Sequence, residues 1–462
     1  MMEKGDGMGD DGFKMTRRCA LALAGAGVAC GAGWALSRKG LLRALDEDAE
    51  DPNPVQVMRR PFAADPSREI SLLGYGGIRL PTRNRSDKDM DLDLGRKLVD
   101  YALRHGVNAF DTGWVYHKGE GEKFWGALLP QERRAEYFLS DKMCTWELKS
   151  LDDAKKMFQA QLDKCRTPYF DQYFLHSLSD EKQYHRVYHE YGVLKYLEEE
   201  RARGRIKYLG FSFHGKYDFL KRLVDERKWD FAMIVFNALT YKGENGSKAF
   251  YDLLAGAKIP VFVMEPLGGG RLARFNGPAK KILTDAKPDR SAASWSLKFA
   301  ASFPAIQTLF SGMGRFEHLR ENIRSLATDF KPFSKEETDV YWKAVDEYLR
   351  YPTVGCTGCR YCLPCPYGVE IPEVFTWWNS FAGAGRIPAR KGPNDSQDLR
   401  RRFLASYTHA VTPGHGAERC IGCKKCTVPC PQWIFRIPTE MAKIDKVLTE
   451  VRADYVAKGG RL

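Results

Sequence analysis

A regular alternation of short apolar runs and amphipathic runs between Ile70 and Leu326 constrains the fold most. The apolar runs have the length of buried strands and the amphipathic runs that of helices. The predicted strands are Ile70–Leu80, Val107–Asp111, Tyr137–Asp141, Phe170–His176, Ile206–Ser212, Phe231–Asn237, Val261–Glu265 and Ile306–Ser311. The predicted helices are Leu92–Arg104, Glu122–Leu129, Leu151–Cys165, Val187–Arg203, Phe219–Arg227, Lys248–Ala255, Ala292–Ala301 and Phe316–Leu326. These eight β-α pairs predict an α/β protein built on a (β/α)8 TIM barrel.

Four polar residues follow the second, third and fourth predicted strands, where such barrels place their chemistry. They are Asp111 and Tyr116, then Lys142, then His176. An ammonium group beside a tyrosine lowers the pKa of the phenol, and a carboxylate holds that ammonium in place. A histidine at the same mouth can bond to a carbonyl. We therefore expect a site that gives a proton to a carbonyl oxygen while hydride reaches the carbon.

Each of these residues also has an ordinary structural interpretation. Lys142 could be a surface cation, His176 a buried histidine with its hydrogen bonds made, Tyr116 a loop aromatic and Asp111 a helix cap. It is the order of the four at successive strand ends that favours a catalytic site.

Six segments of the chain resemble the aldo/keto reductases. They are NAFDTGWVYHKGEGEKFWGALL, YFLSDK, QYFLHSL, YLGFSFHG, VMEPLGGGRL and SGMGRFEHLRENI, and the resemblance extends roughly from Ser71 to Ile323. It implies that Tyr116 is the proton donor, that Lys142 and Asp111 tune it, and that His176 orients the carbonyl. It also implies a small carbonyl or alcohol substrate.

The same resemblance implies a nicotinamide cofactor, NADP(H) or NAD(H). The residues that it assigns to this cofactor are Ser212, Asn237, Glu265, Gly268, Gly269, Gly270, Gly312, Met313, Gly314, Arg315, His318, Glu321 and Asn322. Arg315 is the expected phosphate ligand, since a guanidinium can hold a phosphate through two bonds. The chain departs from the family at Phe213 and Met233, where an asparagine and a glutamine are common, and at His318, where a second arginine is frequent.

Eight of the twelve cysteines fall in two short runs near the C-terminus. The second run, CIGCKKCTVPCP, has the spacing of a bacterial [4Fe–4S] loop, whose fourth cysteine binds the partner cluster. The first run, CTGCRYCLPCP, is one residue shorter before its last cysteine. Two [4Fe–4S] clusters are expected, with one as the minimum. One would be held by Cys356, Cys359, Cys362 and Cys430, and the other by Cys420, Cys423, Cys426 and Cys365. Zinc is the alternative, because zinc sites with four cysteine ligands also use C-x2-C pairs.

The chain is therefore expected to have three parts. Residues 1–40 form a signal or anchor, residues 55–348 the barrel, and residues 349–462 a smaller α-rich, ferredoxin-like iron–sulfur domain. Ferredoxin-like domains after such barrels form a subfamily, and the Ile-Pro pairs at Ile371 and Ile437 resemble it.

Arg17 and Arg18 precede an uncharged Ala/Gly-rich run, a pattern that resembles a twin-arginine (Tat) export signal. A short membrane anchor is the alternative. We expect an exported protein, periplasmic or anchored facing the periplasm, that uses the Tat translocon; a cytoplasmic location is the alternative. The net charge of +13 is scattered, and no nucleic-acid motif accompanies it, so no nucleic-acid partner is expected.

Together these features predict an oxidoreductase that interconverts carbonyls and alcohols and is linked through its clusters to a redox protein or other electron carrier. The alternative is an electron-transfer or binding protein whose barrel has lost hydride chemistry. Phe213 and Met233 favour the alternative, and the four polar residues favour the enzyme.

Overall fold

The computed structural model describes residues 54–83, 86–275, 277–430, 432, 434 and 436–461. These residues all belong to one unit, Asn53–Leu462, which includes both the strand–helix region and the cysteine runs. The predicted signal at residues 1–40 lies outside the described residues.

Eight parallel strands close into a barrel within the described part of the chain, which confirms the predicted fold class. They are β3 (Leu73–Gly76), β4 (Ala109–Asp111), β5 (Phe138–Met143), β6 (Phe170–Leu178), β7 (Ile206–Phe213), β8 (Ala232–Val235), β9 (Val261–Met264) and β10 (Ile306–Ser311). Each strand pairs with the next in sequence, and β10 pairs with β3. The carboxyl ends of all eight strands therefore meet at one mouth.

An antiparallel hairpin precedes the barrel, formed by β1 (Arg59–Phe62) and β2 (Asp65–Ser71). The prediction of one strand over Ile70–Leu80 was wrong, because the apolar run continues across the junction between β2 and β3. Phe62 and Ile70 are fully buried in a cluster with inward-facing residues of the barrel, among them Phe174. The hairpin thus buries its apolar side chains against the barrel core.

Helices follow the strands at Leu92–Arg104, Glu120–Leu128, Leu151–Cys165, Glu181–Tyr184, Val193–Ala202, Tyr217–Glu226, Ser247–Gly256, Gly277–Ala286, Ala292–Ala301, Phe316–Ser325 and Lys335–Leu349. The helix predicted over Val187–Arg203 is interrupted. A π-helical turn spans His185–Glu190, and Gly192, with a φ of 75°, separates it from the helix that begins at Val193.

The cysteine region is mainly helical. Its helices are Ile371–Ala382, Gln397–Ala410 and Ile437–Ala457, and the first and last carry proline in the first turn. Their apolar faces form a core with Phe375, Trp378, Phe403 and Met441, against which six of the eight cysteines pack. No helix within the described ranges combines the length and the apolar character needed to cross a membrane.

Candidate active site and cysteine loops

Lys142, on β5, lies buried at the mouth of the barrel between two oxygen acceptors. Its Nζ is 2.5 Å from Oδ1 of Asp111 and also donates to the carbonyl oxygen of Thr112. Oδ1 of Asp111 accepts a further hydrogen bond from Ser140, at 3.0 Å. Burial raises the pKa of Asp111, although Lys142 and Ser140 oppose the rise. The pair is therefore a buried ion pair with its remaining bonds made by neighbouring strands.

Tyr116 and His176 share this mouth with Lys142. The Nζ of Lys142 is 4.7 Å from the centre of the Tyr116 ring. The centres of the Tyr116 and His176 rings are 6.1 Å apart. The lowered tyrosine pKa that we expected is not found. Burial, followed by the charges of Asp111, Asp141 and Glu265, raises the pKa of Tyr116 well above its ordinary value. The Tyr116 phenol therefore keeps its proton at neutral pH.

His176 is buried next to Trp146, whose ring centre is 5.0 Å away. Burial, then the positive charges of Lys142 and His214, lower the pKa of His176 well below its ordinary value. Its Nδ1 has no hydrogen-bond partner among the described residues. A neutral imidazole in this position can hydrogen-bond a ligand oxygen.

Two of the residues assigned to the nicotinamide end are occupied by contacts within the barrel. The Oγ of Ser212 accepts a bond from the backbone of Ser177 at 2.7 Å. The amide nitrogen of Asn237 donates to the carbonyl oxygen of Glu265 at 2.9 Å, and its oxygen accepts from Leu239 at 2.9 Å. Asn237 therefore braces the loops after β8 and β9 instead of facing a ligand.

Glu265 and the glycine turn after β9 contact the cysteine region. Oε1 of Glu265 accepts bonds from Oγ1 of Thr357 at 3.1 Å and from Nε2 of Gln432 at 2.9 Å. Gly269 has a φ of 68°, and a Cβ built on it would lie 2.3 Å from the Cα of Thr357. Gly268 and Gly270 also have positive φ. The glycine turn allows close backbone approach, and the group that approaches it is Thr357.

The loop after β10 is covered by Arg79. A Cβ added to Gly312 or Gly314 would lie 2.7 Å from atoms of Arg79. Met313 is buried, and its carbonyl oxygen accepts a bond from Tyr75 at 2.8 Å. Asn322, one of the residues assigned to the cofactor, is buried and donates to Oγ of Ser311 at 3.1 Å.

Charged side chains next to the loop after β10 remain accessible to a ligand. Arg315 and His318 are exposed, and Glu321 is half-buried. Partial burial, followed by the charges of Arg79 and Arg315, lowers the pKa of Arg274, which places three guanidinium groups near one another. The phosphate end of a dinucleotide thus fits these residues, whereas Thr357 covers the glycine turn after β9.

The two cysteine loops share a backbone conformation. Gly358 and Arg360 have φ of 68° and 70°, and the corresponding Gly422 and Lys424 have φ of 77° and 60°. The backbone N–H of Gly358 donates to Sγ of Cys356 at 3.4 Å. Bonds of this kind support a thiolate ligand.

The sulfurs fall into two groups by their electrostatic neighbours. Burial raises the pKa of Cys362, and Cys356, Cys359, Cys430 and Cys426 add to the rise. Burial raises the pKa of Cys426 to about 11, and its other neighbours are Cys420, Cys365 and Cys423. Apart from the effect of Cys426 on the pKa of Cys362, these groups match the two expected ligand sets. No three His, Cys, Asp or Glu side chains in the described ranges are gathered closely enough for a single metal ion.

A cleft of about 1840 Å³ lies between the barrel mouth and the cysteine region. Tyr116, His117 and Trp146 line it from the barrel, and Cys359, Arg360 and Tyr361 from the loop. Sequence reasoning missed Arg79, Arg274, Thr357 and Tyr361. Arginines could have been collected from the strand ends, but no local pattern links the two loop residues to a barrel distant in sequence.

Two family models match the chain. The one described as the aldo/keto reductase family matches residues 72–346, and the one described as a 4Fe-4S dicluster domain matches residues 355–435. The chain is 24% identical over 311 residues to the uncharacterized oxidoreductase YqkF of Bacillus subtilis (strain 168), covering 61% of this chain and 94% of that protein.

Solved structures resemble the barrel. The holo form of the aldo-keto reductase AKR11C1 from Bacillus halodurans has a TM-score of 0.51 at 21% identity, covering 63% of this chain and 96% of its own. An aldo-keto reductase from Klebsiella pneumoniae in complex with NADPH has a TM-score of 0.51 at 16% identity, and the match covers 63% of this chain and 95% of that one. At these identities the likeness shows the fold. The family model spans more than half of the chain, and the chain therefore belongs to the aldo/keto reductase family.

Proposed function

We propose that this protein is an oxidoreductase that interconverts a carbonyl and an alcohol at Tyr116 and exchanges electrons through its iron–sulfur domain. The observation that carries the proposal is the position of Lys142. Its ammonium group lies between the carboxylate of Asp111, at 2.5 Å, and the ring of Tyr116, at 4.7 Å. This is the arrangement that proton delivery to a carbonyl oxygen needs.

Each residue has a separate part in this reaction. Tyr116 gives its phenolic proton to the carbonyl oxygen, and Lys142 stabilises the phenolate that forms. Asp111 keeps Lys142 in place. His176 is neutral and binds the same carbonyl oxygen, which fixes the orientation of the substrate. A nicotinamide cofactor, when bound, supplies hydride to the carbonyl carbon.

Arg315 and Arg274 are the residues proposed to hold the phosphate end of that cofactor, NADP(H) or NAD(H). Support comes from the three neighbouring guanidinium groups and from the fold shared with the Klebsiella pneumoniae protein in complex with NADPH. Since Thr357 covers Gly269, binding of a whole dinucleotide requires Thr357 to move away from the glycine turn.

The eight cysteines are proposed to hold two [4Fe–4S] clusters. The two groups of sulfur neighbours support this assignment. The clusters would exchange single electrons with a redox protein or other carrier. We further propose export through the Tat translocon, on the strength of Arg17 and Arg18.

Replacement of the phenol tests the proposal directly. Tyr116→Phe, purified without oxygen together with the wild type, should lose carbonyl reduction by a factor of about 100 or more. Its visible absorption and iron content should stay unchanged. Tyr367→Phe is the matched control, because Tyr367 is exposed on the cysteine region. Equal turnover in wild type and Tyr116→Phe would contradict the proposal.

A second candidate is an electron-transfer protein whose barrel only binds. The contacts that occupy Ser212, Asn237 and Glu265 favour it, because they leave few partners for a nicotinamide ring. This candidate predicts clusters that are reduced and reoxidised at equal rates in wild type and Tyr116→Phe.

A further inference from the structure

One wall of the cleft above Tyr116 comes from the cysteine region instead of the barrel. Cys359, Arg360 and Tyr361 line the same cleft as Tyr116 and Trp146. Tyr361 lies between two of the expected cluster ligands in the chain. Its side chain therefore faces the cleft that holds the proposed proton donor.

A continuous set of rings leads from the proton donor to this wall. The His176 ring is 6.1 Å from that of Tyr116, and the Trp146 ring is 5.0 Å from that of His176. The Tyr361 ring follows at 6.3 Å from that of Trp146. Trp146 is 41% exposed, so a large part of its surface is open to a ligand.

The loop that carries Tyr361 is bound to the barrel on both sides. Thr357 donates to Glu265 at 3.1 Å, and its carbonyl oxygen accepts from Arg79. Arg360 lies 3.4 Å from Asp87, on the loop after β3. The contact of Arg360 with Asp87 involves no residue of the glycine turn, and it holds the neighbouring Tyr361 near Tyr116, as a substrate-binding residue requires.

We propose that Tyr361 is a substrate-contact residue, and that the cleft binds a flat aromatic carbonyl compound against Trp146 and Tyr361. Aromatic rings attract one another in edge-to-face and offset arrangements, and the pair gains more than its buried area gives. Such a ligand would contact these rings while its carbonyl oxygen reaches Tyr116 and His176. This inference rests on the proposed function, since it places the carbonyl at Tyr116.

Binding of two probes to the full-length holoprotein tests this inference. The probes are benzaldehyde, an aromatic aldehyde, and hexanal, an aliphatic one, and binding is measured by calorimetry without oxygen. Benzaldehyde should bind the wild type more tightly than hexanal does. Tyr361→Leu should weaken benzaldehyde binding about three- to tenfold, the range expected for one aromatic contact, and change hexanal binding little.

Two further variants separate this role from a structural one. Tyr361→Phe keeps the ring and should bind benzaldehyde as the wild type does. Tyr367→Leu changes an exposed tyrosine of the same region and should have no effect. Visible absorption and iron content of Tyr361→Leu should equal those of the wild type, and loss of clusters in Tyr361→Leu but not in Tyr361→Phe would assign the ring to loop structure and overturn the inference.

The outcomes also separate this inference from the proposed function. Binding that follows the predicted order without any reduction of benzaldehyde would contradict the proposed function and leave the contact standing. Reduction of benzaldehyde with equal binding in wild type and Tyr361→Leu would overturn the contact alone.

Discussion

The hydroxyl of Thr357 lies 3.1 Å from the carboxylate of Glu265 and donates a hydrogen bond to it. Glu265 is the residue after β9, and Thr357 follows Cys356, the first cysteine of the first run. This bond joins the mouth of the barrel to a cluster-binding loop. Gln432, near the end of the second run, donates to the same oxygen at 2.9 Å.

Weakening this contact should favour a bound dinucleotide. Thr357→Val removes the donor with little change of volume, and a hydrogen bond of this kind contributes about 1 kcal/mol. Because Thr357 covers the glycine turn, the covered state weakens binding in proportion to its population. We expect NADPH to bind Thr357→Val up to about fivefold more tightly than wild type, by anaerobic fluorescence titration.

The control for this experiment is Thr408→Val, an exposed threonine on the helix Gln397–Ala410. Its affinity for NADPH should equal that of the wild type. Weaker binding by Thr357→Val would mean that the loop helps to hold the cofactor, which is the opposite of what the contact indicates.

The Lys142–Asp111 pair gives a prediction about stability. Both side chains are buried, with exposures of 1% and 6%. Lys142→Met leaves the Asp111 carboxylate without its cation, a change that costs about 3–5 kcal/mol in other buried pairs. The urea midpoint of Lys142→Met should therefore fall strongly. The double variant Lys142→Met/Asp111→Asn should recover much of the loss, because no buried charge remains unpaired. A double variant no more stable than Lys142→Met would contradict this.

The barrel and the placement of its four polar residues could be predicted because their signals are local. The hydrophobic periodicity of strands and helices can be recognised from neighbouring residues, and a parallel barrel brings the carboxyl end of every strand to one mouth. Leu151–Cys165, Ala292–Ala301 and Ile306–Ser311 were predicted with the bounds that the structure has. The break in the predicted helix Val187–Arg203 was harder to predict, because nothing in the local sequence distinguishes Gly192 from glycines that do not end a helix.

The state of the cofactor residues could not be predicted because it depends on contacts between distant segments. Asn237 and Asn322 have the expected residue types, yet both amides bond within the barrel. The direction in which the pKa of Tyr116 shifts also could not be predicted without the tertiary structure. The sequence supplied the nearby cation, but the depth of burial and the carboxylates of Asp141 and Glu265 decide the direction.

The pH dependence of carbonyl reduction follows from the pKa values of Tyr116 and His176. Burial holds the pKa of Tyr116 well above 10.0, and burial with Lys142 holds that of His176 well below 6.5. Tyr116 therefore keeps its proton, and His176 stays neutral, from about pH 7 to about pH 9.5. We expect kcat/KM for carbonyl reduction to be constant over this range. A decline centred below about pH 9 would show that the pKa of Tyr116 is lowered, as the sequence suggested.

The pairing of the cysteine runs gives a prediction in iron content. By proximity in sequence, Cys430 would belong with Cys420, Cys423 and Cys426. Its charge instead acts on Cys356, Cys359 and Cys362, and it is absent from the neighbours that act on Cys426. Cys362→Ser and Cys430→Ser should then each remove the same cluster, about four iron atoms per chain. Their double variant should lose no more iron than either single variant, whereas Cys426→Ser/Cys430→Ser should lose the iron of both clusters. The reverse result, with Cys426 and Cys430 equivalent, would assign each cluster to a single run. Iron and sulfide analysis of anaerobically purified variants decides between the two arrangements, because non-additive losses identify ligands that share a cluster.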